Sequence, residues 1–221
     1  MTGPGGNGFA SVVLDVDSTL CGIEGIDWLA SLRGNEIADL VAAQTDRAMR
    51  GELRLEDVYG ERLSLVRPRR EDADALGREY IETLAPGARQ AIQSWRVDGI
   101  HVVLVSSAIR HALLPVARHV GLDGDAVHAV EVTFDQAGAY AGFDRSSPLT
   151  TARGKLEIVL SLDLPKPILM VGDGSTDLAA RDAADAFTAF TGFVTREEIV
   201  QKADFTAKSF DELSAIARGE A

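Results

Sequence analysis

The sequence predicts an α/β fold: a Rossmann-like parallel sheet core that carries an inserted helical cap and a small β-hairpin flap. Three observations predict it. Short apolar runs at 9–14, 102–105 and 168–171 stop abruptly at Asp15, Ser106 and Gly172-Asp173, the pattern of strands apolar on both faces. Helical stretches lie between these runs, and strand–helix alternation argues for an open α/β sheet. The stretch 22–85, directly after the first run, breaks that alternation with helical periodicity and no convincing strand.

Taken in order, residues 1–8 are Gly-rich and read as a loose tail. Residues 9–21 and 86–221 form the expected core, and 22–85 the cap. Pro86 is placed to open a helix at its first turn and Gly99 to follow its end. Helices are expected over 108–119, where Pro115 kinks or ends the helix early, and over 155–162, 177–183 and 196–202. Weaker strands are expected at 186–190 and 204–207. Within 127–144, alternation over 130–134, a turn at Gln136-Ala137-Gly138 and a return at 140–143 predict the hairpin flap.

Length and charge narrow the functions available. A chain of 221 residues suffices for one sizeable core plus a small second domain. The formal net charge of −12 excludes nucleic acid as a partner, because a binder needs a basic face to displace counterions, and argues against an anionic membrane surface. No apolar run approaches the roughly 20 residues that span a bilayer, and no basic segment followed by an apolar stretch opens the chain. The single cysteine, Cys21, allows no internal disulfide and fits a reducing, cytoplasmic setting. The oligomeric state is not legible. An anionic small molecule stays possible if a few Arg and Lys residues gather locally.

The chemistry concentrates where the strands end, the place where open α/β sheets bind ligands. Asp15-Val16-Asp17-Ser18-Thr19 puts two carboxylates two residues apart. One can reach a metal and a phosphorus atom while the other sits beside a leaving oxygen. A phosphomonoester dianion repels an approaching carboxylate, and a bound Mg²⁺ offsets that repulsion. Gly172-Asp173-Gly174-Ser175-Thr176-Asp177 follows the third strand. Its glycines permit a tight turn, Asp173 can complete a metal site begun at Asp15, and Asp177 can orient a metal-bound water or a basic side chain. The four histidines lack metal-ligand spacing, Cys21 reads as packing, and Trp28 and Trp95 read as core.

In order and spacing, Asp15-x-Asp17-Ser18-Thr19, Ser106, a basic residue near 153–155 and Gly172-Asp173-Gly174-x-x-Asp177 resemble the haloacid dehalogenase superfamily, and within it most of all the phosphoserine phosphatases. Glu24-Gly25-Ile26-Asp27 resembles that group's substrate-gating segment. Ala48-Met49-Arg50-Gly51 with Arg62-Leu63 resembles its cap helices, 140–144 its flap, and 184–187 the stretch after its fourth motif. The resemblance spans about residues 10–210. It implies that Asp15 is a nucleophile that becomes phosphorylated, and that Asp17 protonates the leaving alkoxide and then activates water. Mg²⁺ is implied at Asp15, the Asp17 backbone carbonyl and Asp173, with Asp177 behind them. Phosphate contacts are implied at Ser106, Ser107 and a basic residue, for which Arg153 fits by alignment and Lys155 by residue type. Glu24 is implied to meet a substrate ammonium, Arg62 its carboxylate, and Thr176 the substrate as well. The expected reaction is hydrolysis of a small phosphomonoester, L-phosphoserine foremost. Ser107 and Ala108 stand where the family usually has glycines, and Leu55 where an aromatic is expected. These departures motivate a sugar or thio-sugar phosphate as the alternative substrate, with a non-catalytic phosphoamino-acid binding module as the alternative of another class.

Overall fold

The computed structural model describes residues 8–220; of the expected tail, residues 1–7 lie outside the described part. Six parallel strands form the main sheet: β1 (Ser11–Leu14), β2 (His101–Ile109), β3 (Val127–Val130), β6 (Ile168–Gly172), β7 (Ala186–Phe190) and β8 (Phe205–Ala207). Their spatial order is β3-β2-β1-β6-β7-β8. β1, β6 and β7 are buried along their whole length, as continuous Val/Ile/Leu-rich runs require when both faces are covered. The chain leaves β1 towards β2 and β3, then returns to β6 on β1's other side. That reversal creates a crevice at the carboxyl ends of β1, β2 and β6.

Four helices, α1 (Gly25–Ser31), α2 (Asn35–Met49), α3 (Leu55–Val66) and α4 (Arg70–Glu82), make up the cap between β1 and the rest of the core. α5 (Ala88–Val97) begins after Pro86-Gly87 and is followed by Gly99 at φ 84°. α6 is Arg110–Val120, α7 Gly154–Ser161, α8 Ser175–Ala180, α9 Glu197–Val200 and α10 Phe210–Ala217. α5 contacts both α6 and α10, while α7 contacts α8. Trp95 is fully buried against Phe210 at a ring separation of 6.2 Å, so the expected core role of Trp95 is met.

Three local expectations change. The second strand does not stop at Ser106 but runs on to Ile109, with its register against β3 shifting between Val105 and Ile109. Ser106 therefore sits inside an irregular strand end, and the helix starts later, at Arg110. Pro115 lies within α6 without ending it. Residues 127–130 belong to the core sheet as its edge strand β3, so the hairpin flap is only β4 (Val132–Phe134) and β5 (Tyr140–Phe143). Alternation over 130–134 could not separate an edge strand from a hairpin arm, because both are half-buried.

Candidate active site

The site grows out of the turn after β1. The Cys21 and Thr19 amides both donate to the Val16 carbonyl, at 2.9 and 3.3 Å, which curls the chain tightly. Ser18 takes φ 53° in that turn, a left-handed conformation that costs a non-glycine residue on the order of 1 kcal/mol. Its hydroxyl donates to Glu24 Oε1 at 2.7 Å. The turn thus delivers Asp15, Asp17 and Glu24 to one place from a short span of chain.

Opposite stands the loop after β6. A side chain on Gly172 would collide with the Asp177 carboxyl, so glycine there lets the first turn of α8 fold back against the strand. Asp177 Oδ2 accepts the Gly174 amide at 3.0 Å. Carboxylate oxygens of Asp15, Asp173 and Asp177, all buried, lie within 4.8 Å of one another. Three hard oxygen donors so close fit a divalent cation, and in this structure two basic side chains offset their repulsion. Lys155 Nζ donates to Asp15 Oδ1 at 2.5 Å and to Asp177 Oδ1 at 2.6 Å. Arg196 pairs with Asp173 and approaches Glu24 Oε1 at 4.0 Å. The Thr19 hydroxyl donates to the other Asp173 oxygen at 3.3 Å.

Of the two basic candidates, the structure brings only Lys155 to the carboxylates. Lys155 is 3% exposed, whereas Arg153 is exposed at the N-terminal boundary of α7 and has no side-chain hydrogen bond or ion pair among the described residues. Ser106 is buried and its hydroxyl accepts the Ala108 amide at 3.1 Å. Ser107 points its hydroxyl at the Leu149 carbonyl, 2.7 Å away, so that group is already engaged. Thr176 is buried on α8 but forms no side-chain hydrogen bond among the described residues.

The electrostatics follow from burial. Asp15 is raised to about 7, chiefly by desolvation and then by the Asp177 charge, against the opposing pull of Lys155. Asp17 is raised well above the usual carboxylate range by burial and by Glu24. It is held by the Tyr80 hydroxyl at 2.5 Å and the Gly25 amide at 3.1 Å. Glu24 is also raised, first by burial. The pair Asp15 and Asp17 therefore combines a carboxylate held by an ammonium with a neighbour that favours its protonated form.

A small cavity of about 30 Å³ lies under the cap, lined among others by Asp17, Glu24, Met49, Leu55, Arg62 and Ser107. Arg62 is 4% exposed. Its Nη1 donates to Thr45 Oγ1 at 2.7 Å, Thr45 donates to Asp27 at 2.5 Å, and its Nε has no partner. Sequence reasoning missed Arg196, Tyr80 and Thr45. Each is a lone polar residue in a helix or loop, and no local pattern distinguishes it from a surface residue. Tyr80 in particular sits among Glu71, Asp72, Asp74, Glu79 and Glu82, acidic neighbours that in sequence alone resemble a solvated helix face.

Residues 9–185 match the family model described as a haloacid dehalogenase-like hydrolase. The chain belongs to that family. A hydrolase of this family is an enzyme, and its relatives are consistent in kind. Rat phosphoserine phosphatase is 36% identical over 206 residues, covering 92% of this chain and 91% of the relative. Human phosphoserine phosphatase shows the same identity and coverage. Among solved structures, a phospho-aspartyl intermediate analogue of phosphoserine phosphatase superposes with a TM-score of 0.79 at 24% identity, over 92% of this chain and 96% of the other. A phosphoserine phosphohydrolase-like protein from Francisella tularensis gives 0.86 at 19% identity, over 93% and 98%. At these identities the superpositions show a shared haloacid dehalogenase fold. No helix among the described residues is long and apolar enough to cross a membrane.

Proposed function

We propose that this hydrolase cleaves L-phosphoserine to L-serine and phosphate through a phosphorylated Asp15. One observation carries the substrate: the buried Arg62 guanidinium, which among the described residues has Nε unpartnered and no carboxylate in direct contact, faces the same cavity as Glu24. A guanidinium is never neutral and is costly to bury unpaired. A ligand bringing a carboxylate to Arg62 and an ammonium to Glu24 satisfies both ends, and that ligand is an α-amino acid.

Asp15 attacks phosphorus and the ester P–O bond breaks, with Asp17 giving its proton to the departing serine oxygen. Asp17, now ionised, takes a proton from water as the water oxygen attacks phosphorus of the aspartyl phosphate; the P–O bond to Asp15 breaks, releasing phosphate and restoring the Asp15 carboxylate. The Lys155 ammonium holds Asp15 in position, and Asp177 holds Lys155. Asp15 and Asp173 would hold Mg²⁺ together with the Asp17 carbonyl, and Asp177 would stay on Lys155 and the Gly174 amide. Bound there, Mg²⁺ supplies Lewis-acid withdrawal of charge from the phosphoryl oxygens. Leu55 lines the cavity without filling it as an aromatic side chain would, which leaves a sugar phosphate as the competing substrate.

Phosphate release should be measured with Mg²⁺ on L-phosphoserine, D-phosphoserine and a panel of sugar phosphates. Preference for L-phosphoserine is expected, with Asp15→Asn lowering turnover at least about 10³-fold. Glu24→Gln and Arg62→Gln should raise KM for L-phosphoserine more than for phenyl phosphate. Equal turnover of the sugar phosphates, or equal effects on both esters, would refute the amino-acid assignment.

A further inference from the structure

In a chain of net charge −12, several cap arginines are matched by carboxylates: Arg33 by Asp72, Arg54 by Glu56 and Arg69 by Glu71. Two at the seam of cap and flap are not. Arg67, at the end of α3, and Arg145, just after β5, have no ion pair or side-chain hydrogen bond among the described residues. Both line a surface cleft of about 370 Å³ at the seam of cap and flap, with Tyr140, Ser64 and Thr133, and no carboxylate lines it. The Asp144 carboxylate, next to Arg145 in sequence, is engaged elsewhere, accepting the Ser146 amide and hydroxyl at 2.9 and 2.6 Å.

The cleft is built rather than incidental. Arg67 sits at φ 43°, ψ 62°, a conformation that glycine or asparagine adopts at helix ends with less strain. Relief of the negative end of the α3 dipole accounts for a basic residue there but not for a second arginine lining the same cleft. Arg145 stacks over Phe143 with its Cζ 5.4 Å from the ring centroid, which fixes the plane of the guanidinium. Tyr140 lines the same cleft as the two arginines, and its hydroxyl has no hydrogen-bond partner among the described residues. Two guanidiniums and a free phenol around a carboxylate-free cleft are the donor set for a phosphate dianion.

We propose that this cleft is a second anion site, outside the catalytic centre, that binds a phosphate dianion between Arg67 of the cap and Arg145 and Tyr140 of the flap. It lies behind Phe143, whose ring packs edge-on against Tyr59 at 5.4 Å, and the Tyr59 hydroxyl donates to the Ser107 carbonyl at 2.8 Å. An anion held there therefore ties cap to flap one aromatic layer away from the substrate cavity. The ligand is free phosphate or a small phosphomonoester. The inference does not depend on which ester the enzyme hydrolyses.

The test is an NMR titration of the full chain with sodium phosphate in the presence of Mg²⁺, at ionic strength held constant with sodium chloride. Saturable amide shifts are expected at Tyr140, Gly142 and Arg145, separate from those at Ser106 and Asp173. The double variant Arg67→Gln/Arg145→Gln should weaken the flap dissociation constant at least tenfold and move the catalytic-centre constant by less than twofold. L-serine, a carboxylate without phosphate, should leave the flap amides unmoved. L-phosphoserine titrated into Asp15→Asn identifies whether the ester binds there as well as free phosphate, and saturation by either supports the site. Shifts that chloride reproduces, that persist in the double variant, or that serine produces equally would overturn it.

Discussion

At the scale of single residues, the placement of one ammonium decides between two candidates. Lys155 is buried between Asp15 and Asp177, 2.5 and 2.6 Å from their oxygens, while Arg153 is exposed two residues earlier. An electrostatic group aimed at the reacting centre in a water-poor site contributes on the order of 10²–10³-fold to turnover. Lys155→Gln should therefore lower kcat by about that factor, and Arg153→Gln by less than about threefold. Steady-state kinetics on both variants checks this, and a larger loss from Arg153→Gln would reverse the assignment. Sequence left these two undecided because their order along the chain does not say which one the first turn of α7 swings inward. The carboxylates were legible for the opposite reason. Asp15 and Asp173 end apolar runs, so their position relative to the sheet follows from the chain alone, whereas Arg196 and Tyr80 reach the site only through tertiary packing.

At the scale of elements, the cap packs against the core beside the site, where the Ser175 hydroxyl donates to the Ala48 carbonyl at 2.9 Å. A cavity of about 30 Å³ holds about one water and no amino-acid phosphate, so substrate entry requires the cap to move away from the core. The point where α2 ends offers a lock. A Cβ at Gly51 would stand 3.7 Å from Ser175 Cβ, within the 3.5–4.5 Å range of disulfide Cβ pairs. Gly51→Cys/Ser175→Cys, oxidised, should lose more than about 90% of turnover and regain it on reduction. Cys21 is buried and does not compete for the new bond. Full activity in the oxidised form, with the disulfide shown by mass spectrometry, would mean that the cap need not open there. The existence of the cap, the hairpin and the parallel strands was legible from breaks in periodicity. The end of β2 was not, because residues 106–109 continue as strand through polar and small side chains that a buried-strand pattern excludes.

At the scale of the whole molecule, the site stores electrostatic cost that the rest of the fold offsets. Asp15 and Asp177 share one ammonium in a buried place, and desolvation leads the causes that raise Asp15 to about 7 from an ordinary 3.8. A raised carboxyl binds its proton more tightly folded than unfolded, so its contribution to stability is full below about 4 and is lost as pH rises through about 7. Asparagine at that position stays neutral throughout. In metal-free buffer, the thermal midpoint of Asp15→Asn minus that of the wild type should therefore grow as pH rises from 5 to 8. Mg²⁺ favours the ionised carboxylate and binds the native state alone, so adding it should raise the wild-type midpoint more at pH 8 than at pH 5. The same addition should raise the Asp15→Asn midpoint less at either pH, because that variant lacks one of the carboxylates proposed to hold the metal. Differential scanning calorimetry across that range reads all three quantities. A midpoint difference that stays flat or shrinks with pH would show that Lys155 outweighs burial and keeps Asp15 ionised. The site would then enter the reaction with its nucleophile already charged before any metal arrives.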